Sequence, residues 1–92
     1  MTRLNVVREG EGPIVVLSHA LGCDLSMWDG VAAQLSRAHT VLRYDHRNHG
    51  ASEVVPGALR VETLAQDVAE LIQREADGEP VHFVGLSMGG MT

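Results

Sequence analysis

The segment Gly85-Leu86-Ser87-Met88-Gly89 constrains this chain more than any other stretch, because it directly follows the apolar run 81–84. A G-x-S-x-G pentapeptide in that position is typical of a strand that turns sharply into a helix, with the serine at the apex. The flanking glycines avoid a collision between side chains and the neighbouring backbone. We therefore predict a strained Ser87 whose hydroxyl is presented as a nucleophile, in front of a helix N-terminus that favours negative charge.

Two other interpretations fit part of this segment. The first is a tight turn without chemistry, which the sequence leaves open. The second is a phosphate-binding loop, because Gly85, Gly90 and Thr92 match the spacing of G-x-x-x-x-G-K-[ST]. Met91 stands where the lysine of that motif would hold a phosphate, so a nucleotide site is disfavoured.

Composition and charge narrow the classes of partner. The 92 residues are 45% hydrophobic and carry a formal net charge of -5, which predicts one small folded domain with no nucleic acid or anionic membrane as partner. No apolar run approaches the ~20 residues of a membrane helix, and residues 1–5 lack the apolar core of a signal peptide. Cys23 is the one cysteine and cannot form an internal disulfide, so we expect a cytoplasmic protein. With no basic neighbour, Cys23 is expected to be a neutral, buried or half-buried thiol.

Apolar patterning predicts alternating strands and helices. Amphipathic spacing indicates one helix over about Met27 to Ala38, capped by Asp24 or Ser26, and a second from Val61 to the turn at 76–80. We expect an α/β fold, a mostly parallel sheet with flanking helices, in a single domain. The predicted strands are Leu4 to Arg8, Ile14 to Leu17, Thr40 to Tyr44 and Val81 to Val84.

The polar loops after these strands suggest acyl transfer. In a parallel sheet, sites gather at the carboxyl ends of the strands, where loops start at Ser18, Asp45 and Gly85. A serine nucleophile needs a base, an acid that orients the base, and two N–H donors for the oxyanion. The N–H of Met88, directly after the nucleophile, is one predicted donor. The N–H of Leu21, in the loop after the 14–17 strand, is the other.

None of the five histidines is an obvious base. In the fold expected from the elbow, the acid and the histidine follow the serine, and nothing after Ser87 is acidic or a histidine. His82 lies inside the strand that delivers the serine, and His19 is expected to anchor the loop that carries Leu21. His46 and His49 form an H-x-x-H pair, but no carboxylate or cysteine completes a metal set. We therefore expect loop hydrogen bonding there, and neither a metal nor an organic cofactor.

Three segments, in their order and spacing, resemble the N-terminal part of an α/β-hydrolase: residues 18–22, 44–52 and 85–90. With residues 21–29 and 42–45 included, the chain most resembles 3-oxoadipate enol-lactonases, and related carboxylesterases and haloperoxidase-like hydrolases share much of the pattern. The resemblance implies a serine hydrolase that acts on a small-molecule ester or lactone, with Ser87 as nucleophile and Leu21 and Met88 as oxyanion donors. A carboxylesterase, an acyltransferase, a perhydrolase and a non-catalytic binding protein remain alternatives, and the oligomeric state is open.

The chain departs from the family pattern in two residues and in length. Ala20 and Asn48 stand where the family usually has glycine; Ala20 needs an ordinary φ, and asparagine tolerates a left-handed one. The family continues through more strands, a lid, and the triad acid and histidine. We therefore expect residues 1–92 to be a partial α/β-hydrolase domain, truncated after the elbow, inactive alone, and with the 81–84 strand as an exposed apolar edge.

Overall fold

The computed structural model describes residues 2–92 and contains strands and helices in the predicted alternation. The helix predicted over 27–38 begins as a 3₁₀ turn and ends at Leu35, earlier than expected. The strands are β1 (Val6–Glu9), β2 (Ile14–Ser18), β3 (Thr40–Tyr44) and β4 (Val81–Gly85), and the helices are α1 (Asp29–Leu35, preceded by the 3₁₀ turn Leu25–Trp28), α2 (Val61–Ala76) and α3 (Met88–Met91).

The four strands form one sheet in the order β1-β3-β2-β4. β2 pairs in parallel with β3 and with β4, whereas β1 runs antiparallel to β3. The predicted mostly parallel sheet is therefore confirmed. Ser18 lies opposite Tyr44 on one side and Gly85 on the other, so the loops that follow β2, β3 and β4 leave the sheet at the same edge.

Helices cover both faces of the sheet, and β2 is buried along its whole length. Because side chains alternate across a strand, Ile14 and Val16 pack in the cluster formed with α2, and Val15 and Leu17 pack in the cluster formed with α1. This two-sided burial explains why the sequence of β2 is a continuous apolar run. Helix partners in these clusters are Val68, Leu71 and Ala76 of α2, Ala32 of α1, and Trp28.

Strand β4 forms an edge of the sheet and exposes apolar side chains. It pairs only with β2 in the described part of the chain, and Phe83 and Val84 are 39% and 43% exposed. The expectation of an exposed apolar edge is confirmed. Within residues 2–92, no helix is both long enough and apolar enough to cross a membrane.

Candidate active site

Ser87 sits at the apex of a sharp turn between β4 and α3. Its backbone has φ 54° and ψ -116°, a conformation that a residue with a Cβ rarely adopts. The residue is exposed, and its side chain does not cap the helix that follows. The hydroxyl is thus held at the surface by the backbone, as the G-x-S-x-G pattern predicts.

Two glycines allow this turn to close. A Cβ on Gly89 would lie less than 3.0 Å from the carbonyl oxygens of Ser18 and His19, at the end of β2. A Cβ on Gly85 would lie equally close to the backbone of Gly89 and Gly90. Real Cβ atoms do not approach backbone so closely. Glycine at position 85 therefore lets the turn close, and glycine at position 89 lets it rest against the end of β2.

The two predicted oxyanion donors lie on the β2 loop (residues 19–24) and at the start of α3. The N–H of Leu86 donates to Ser18 O at 3.2 Å, which ties the turn to the start of the β2 loop. Leu21, in that loop, is 62% exposed. Met88 is the first residue of α3, where N–H groups have no partner within the helix.

The two departures from the family pattern are accommodated in different ways. Within residues 2–92, the non-glycine residues with positive φ are Asn48, Asp77 and Ser87, so Ala20 keeps an ordinary φ. Asn48 has φ 64°, and its side-chain oxygen accepts a hydrogen bond from the N–H of Val55 at 2.6 Å. An asparagine therefore serves here, because it tolerates the left-handed conformation and also makes a local bond.

Cys23 corrects one expectation. The thiol was predicted to be buried or half-buried, but the residue is exposed. The reason is that no side chain of residues 2–92 packs over this part of the β2 loop, since Leu21 and Gly22 beside it are exposed too.

Two buried histidines connect the β2 loop to the β3 loop (residues 45–52). The N–H of His46 donates to His19 Nε2 at 2.9 Å, so the ring proton of His19 is on Nδ1, which donates to Ala20 O at 2.7 Å. In return, His46 Nε2 donates to His19 O at 3.0 Å. The prediction that His19 anchors the loop that carries Leu21 is confirmed.

Burial keeps both rings neutral. Burial, with a smaller contribution from His19, lowers the pKa of His46 to about 4. Burial also lowers the pKa of His19, against the opposing effect of its bond to Ala20 O. A ring that is buried, neutral and bonded to backbone is poorly suited to exchange protons with an exposed serine.

His49 is likewise engaged with backbone. Its Nε2 accepts from the N–H of Gly22 at 3.1 Å, and its Nδ1 donates to Arg47 O at 2.9 Å. This is the loop hydrogen bonding that the sequence predicts for His49. Among residues 2–92, no group of three or more histidine, cysteine, aspartate or glutamate side chains is arranged to hold a metal ion.

Comparison with known proteins decides the family. The family described as "alpha/beta hydrolase fold" matches residues 13–92. This chain belongs to the α/β-hydrolase fold family.

Two curated relatives share more than a third of their aligned residues with this chain. It is 38% identical over 80 residues to 3-oxoadipate enol-lactonase 1 of Acinetobacter baylyi, over 87% of this chain and 29% of the relative. It is 36% identical over 84 residues to 3-oxoadipate enol-lactonase 2 of the same organism, over 91% of this chain and 31% of the relative. The chain thus spans about 30% of the length of these curated relatives.

Two solved structures superpose closely on this chain. The enol-lactonase from Burkholderia xenovorans LB400 superposes with a TM-score of 0.92 at 44% identity, over 99% of this chain and 36% of that one. A thermophilic esterase from Thermogutta terrifontis superposes with a TM-score of 0.92 at 32% identity, over 97% of this chain and 33% of that one.

The sequence analysis missed the role of Asp45. This buried carboxylate accepts from the N–H of Leu25 at 2.7 Å, from the N–H of Ala51 at 2.9 Å and from Asn5 Nδ2 at 3.0 Å. It therefore joins the 3₁₀ turn, the β3 loop and the segment before β1. The sequence signal that could have indicated this role is an aspartate directly after a buried strand.

The sequence analysis also missed an ion pair between the β3 loop and α2. Arg47 Nε and Nη2 donate to the two carboxylate oxygens of Asp67 at 2.6 and 2.8 Å, and the hydrogen bonds raise the pKa of Arg47. Asp67 is buried and lies three residues after Leu64, at the spacing of the core face of α2. An acidic residue at core spacing is the signal that could have indicated a buried partner.

Ser87 lies on an open surface of the described chain. One depression of about 320 Å³ is lined by Thr2, Arg47, Asp67 and neighbours, and another of about 490 Å³ lies along α1. Ser87 lines neither of them. The elbow therefore presents its hydroxyl at the sheet edge, outside these two depressions.

Proposed function

We propose that this protein hydrolyses a carboxylic ester or lactone through an acyl-enzyme formed on Ser87. The observation that carries the proposal is the strained, exposed backbone of Ser87 at the carboxyl end of β4. A fold tolerates such strain at few positions, and these cluster at functional sites. The similarity to two enol-lactonases of Acinetobacter baylyi supports a lactone as substrate.

In the proposed reaction, Ser87 Oγ attacks the acyl carbon while its proton passes to a general base. The N–H groups of Leu21 and Met88 hold the oxyanion, and each such donor lowers the barrier by about 3 kcal/mol. The C–O bond to the leaving oxygen then breaks, and the leaving oxygen takes the proton. Water attacks the acyl-enzyme in a second, equivalent step and releases the acid.

We propose that the general base lies outside residues 2–92. His19 and His49 have both ring nitrogens bonded to backbone atoms, and His46 is buried with its Nε2 bonded to His19 O. The remaining two, His39 and His82, lie before β3 and within β4. We therefore propose that residues 1–92 are part of one α/β-hydrolase domain and turn over no ester by themselves. We also propose a cytoplasmic location, because the exposed Cys23 is a free thiol.

The test is hydrolysis of a small lactone by the full-length protein. Ser87→Ala should lose about a millionfold in kcat, as serine hydrolases do when the nucleophile is removed. Ser36→Ala, at the end of α1, makes the same chemical change away from the elbow and should match wild type. Equal turnover by Ser87→Ala and wild type would remove Ser87 as nucleophile.

A second candidate is hydrolysis of a linear ester, which the similarity to the Thermogutta terrifontis esterase favours. The two candidates use the same elbow and differ in substrate. Comparison of kcat/KM for a five-membered lactone and for a linear ester of equal carbon number separates them. A higher value for the lactone supports the first candidate.

A further inference from the structure

We propose that His49 is a positioning residue for the oxyanion donor on the β2 loop. Together with His19, it fixes the two peptide units on either side of Leu21. The inference rests on the proposed function, because it concerns the donor that would stabilise the transition state.

The first peptide unit joins Ala20 to Leu21. In a planar trans peptide the C=O and the N–H point in opposite directions, so fixing one fixes the other. The carbonyl of Ala20 accepts from His19 Nδ1 at 2.7 Å and from the N–H of Cys23 at 3.1 Å. These two donors direct the N–H of Leu21 away from them.

The second peptide unit joins Leu21 to Gly22. Its N–H donates to His49 Nε2 at 3.1 Å. Packing contributes little here, because Leu21 is 62% exposed and a Cβ on Gly22 would meet nothing within 4 Å among the described residues. Gly22 also has φ +78°, in a region where glycine moves freely. The turn closed by the N–H of Cys23 on Ala20 O spans this unit, and the bond to His49 is the side-chain contact that fixes its N–H.

The ring of His49 is itself fixed. Its Nδ1 donates to Arg47 O at 2.9 Å, which leaves Nε2 as an acceptor. The side chain of Arg47 is in turn held by both carboxylate oxygens of Asp67 on α2. A series of hydrogen bonds thus runs from the α2 helix through the β3 loop to the β2 loop.

The catalytic consequence concerns the transition state. Hydrogen bonds weaken steeply as their angle departs from linearity, and an oxyanion donor is effective because its direction is set before the reaction. Without His49, the second peptide unit gains freedom and Leu21 loses a restraint on one side. The expected loss is in kcat, with KM nearly unchanged.

The test compares three variants of the full-length protein. His49→Leu removes the acceptor, whereas His49→Gln places an amide oxygen near the position of Nε2 and retains it. His39→Leu is the matched control, because it makes the same substitution in the turn between α1 and β3, away from the β2 and β3 loops. We expect kcat to fall about ten- to a hundredfold in His49→Leu, within about threefold of wild type in His49→Gln, and not at all in His39→Leu.

A second readout follows the bond directly. Amide exchange of Gly22, measured by NMR, should be about fivefold faster in His49→Leu than in wild type, and restored in His49→Gln. His49→Ala replaces His49→Leu if leucine disturbs the β3 loop.

The positioning role is overturned if kcat of His49→Leu equals that of wild type, if only KM changes, or if His49→Gln is as slow as His49→Leu. Failure of the proposed function is recognised separately, because Ser87→Ala would then be as active as wild type. In that case unchanged exchange of Gly22 in His49→Leu would still overturn the restraint itself.

Discussion

Ser87 combines a backbone conformation that suits glycine with a side chain that the proposed chemistry requires. A φ of 54° with ψ -116° suits glycine, yet a side chain is needed to carry the hydroxyl. Strain of this kind amounts to about 1–3 kcal/mol and persists only when the surroundings enforce it. Here the enforcing contacts are backbone to backbone, between the turn and the end of β2.

This strain predicts an unusual order of stability. Ser87→Gly should be more stable than Ser87→Ala. Its free energy of unfolding should be about 1 kcal/mol higher, because glycine relieves the strain whereas alanine keeps the Cβ. Urea denaturation of the two variants measures the difference.

Ser36 provides the control for that comparison. It has φ -66° at the end of α1, so Ser36→Gly should be less stable than Ser36→Ala by about 0.5–1 kcal/mol. Were Ser87→Ala as stable as Ser87→Gly, the account of a strained elbow would be wrong.

At this scale the sequence predicts local contacts better than distant ones. The conformation of Ser87 follows from glycines two residues away on each side. The bond between His49 and Gly22 joins residues 27 positions apart on separate loops, and no local pattern indicates it. The same holds for the contacts of Asp45 with Leu25 and Asn5.

At the scale of elements, the junction of β4 and α3 depends on close approach to β2. Leu86 is bonded to Ser18, and Gly89 lies against the same carbonyl. The parallel pairing of Ser18 with Gly85 makes this approach possible.

Adding one methyl group at this junction tests it. Gly89→Ala should lower the free energy of unfolding by about 1–3 kcal/mol, because its Cβ would meet backbone that cannot move aside cheaply. Chemical denaturation measures the loss.

Gly30 in α1 is the matched position for this substitution. A Cβ there would meet nothing within 4 Å in the described structure, and alanine favours helix, so Gly30→Ala should raise stability by about 0.5–1 kcal/mol. A Gly89→Ala variant as stable as Gly30→Ala would contradict the close approach.

Helix α1 shows where patterning fails at this scale. Apolar spacing predicted a helix to Ala38, but the N–H groups of Ala38 and His39 both donate to Leu35 O, which closes a turn. The chain must reverse there to enter β3, whose Thr40 N–H donates to Pro13 O. Periodicity does not record such a tertiary bond. It did place α2 correctly, because that helix is long and its apolar face is regular.

At the scale of the whole molecule, a buried polar group of side chains lies beneath the candidate site. Ser18 Oγ and Tyr44 Oη are 2.8 Å apart, and burial raises the pKa of Tyr44 to about 12. His46 and His19 complete the group. Because the two histidines are buried and neutral, acid should destabilise the fold.

The lowered pKa of His46 predicts that the protein becomes less stable as the pH is lowered. The pKa of His46 is 6.5 when unfolded and about 4 when folded, so below pH 6.5 the unfolded chain binds a proton that the folded chain does not. This histidine alone should remove up to about 3 kcal/mol of the free energy of unfolding between pH 6.5 and about pH 4. The lowered pKa of His19 acts in the same direction.

Urea denaturation at several pH values, in wild type and in His46→Gln, isolates the contribution of His46. The variant should lose less stability than wild type on acidification. Identical pH dependence in wild type and His46→Gln would show that the ring is not held neutral by the fold.

The most direct test of the central claim is to treat the full-length protein with a fluorophosphonate and locate the adduct by mass spectrometry. The account predicts a single phosphonyl group on the peptide that contains Ser87, lost in Ser87→Ala and retained in Ser36→Ala. Equal labelling of wild type and Ser87→Ala, or an adduct elsewhere in the chain, would contradict it.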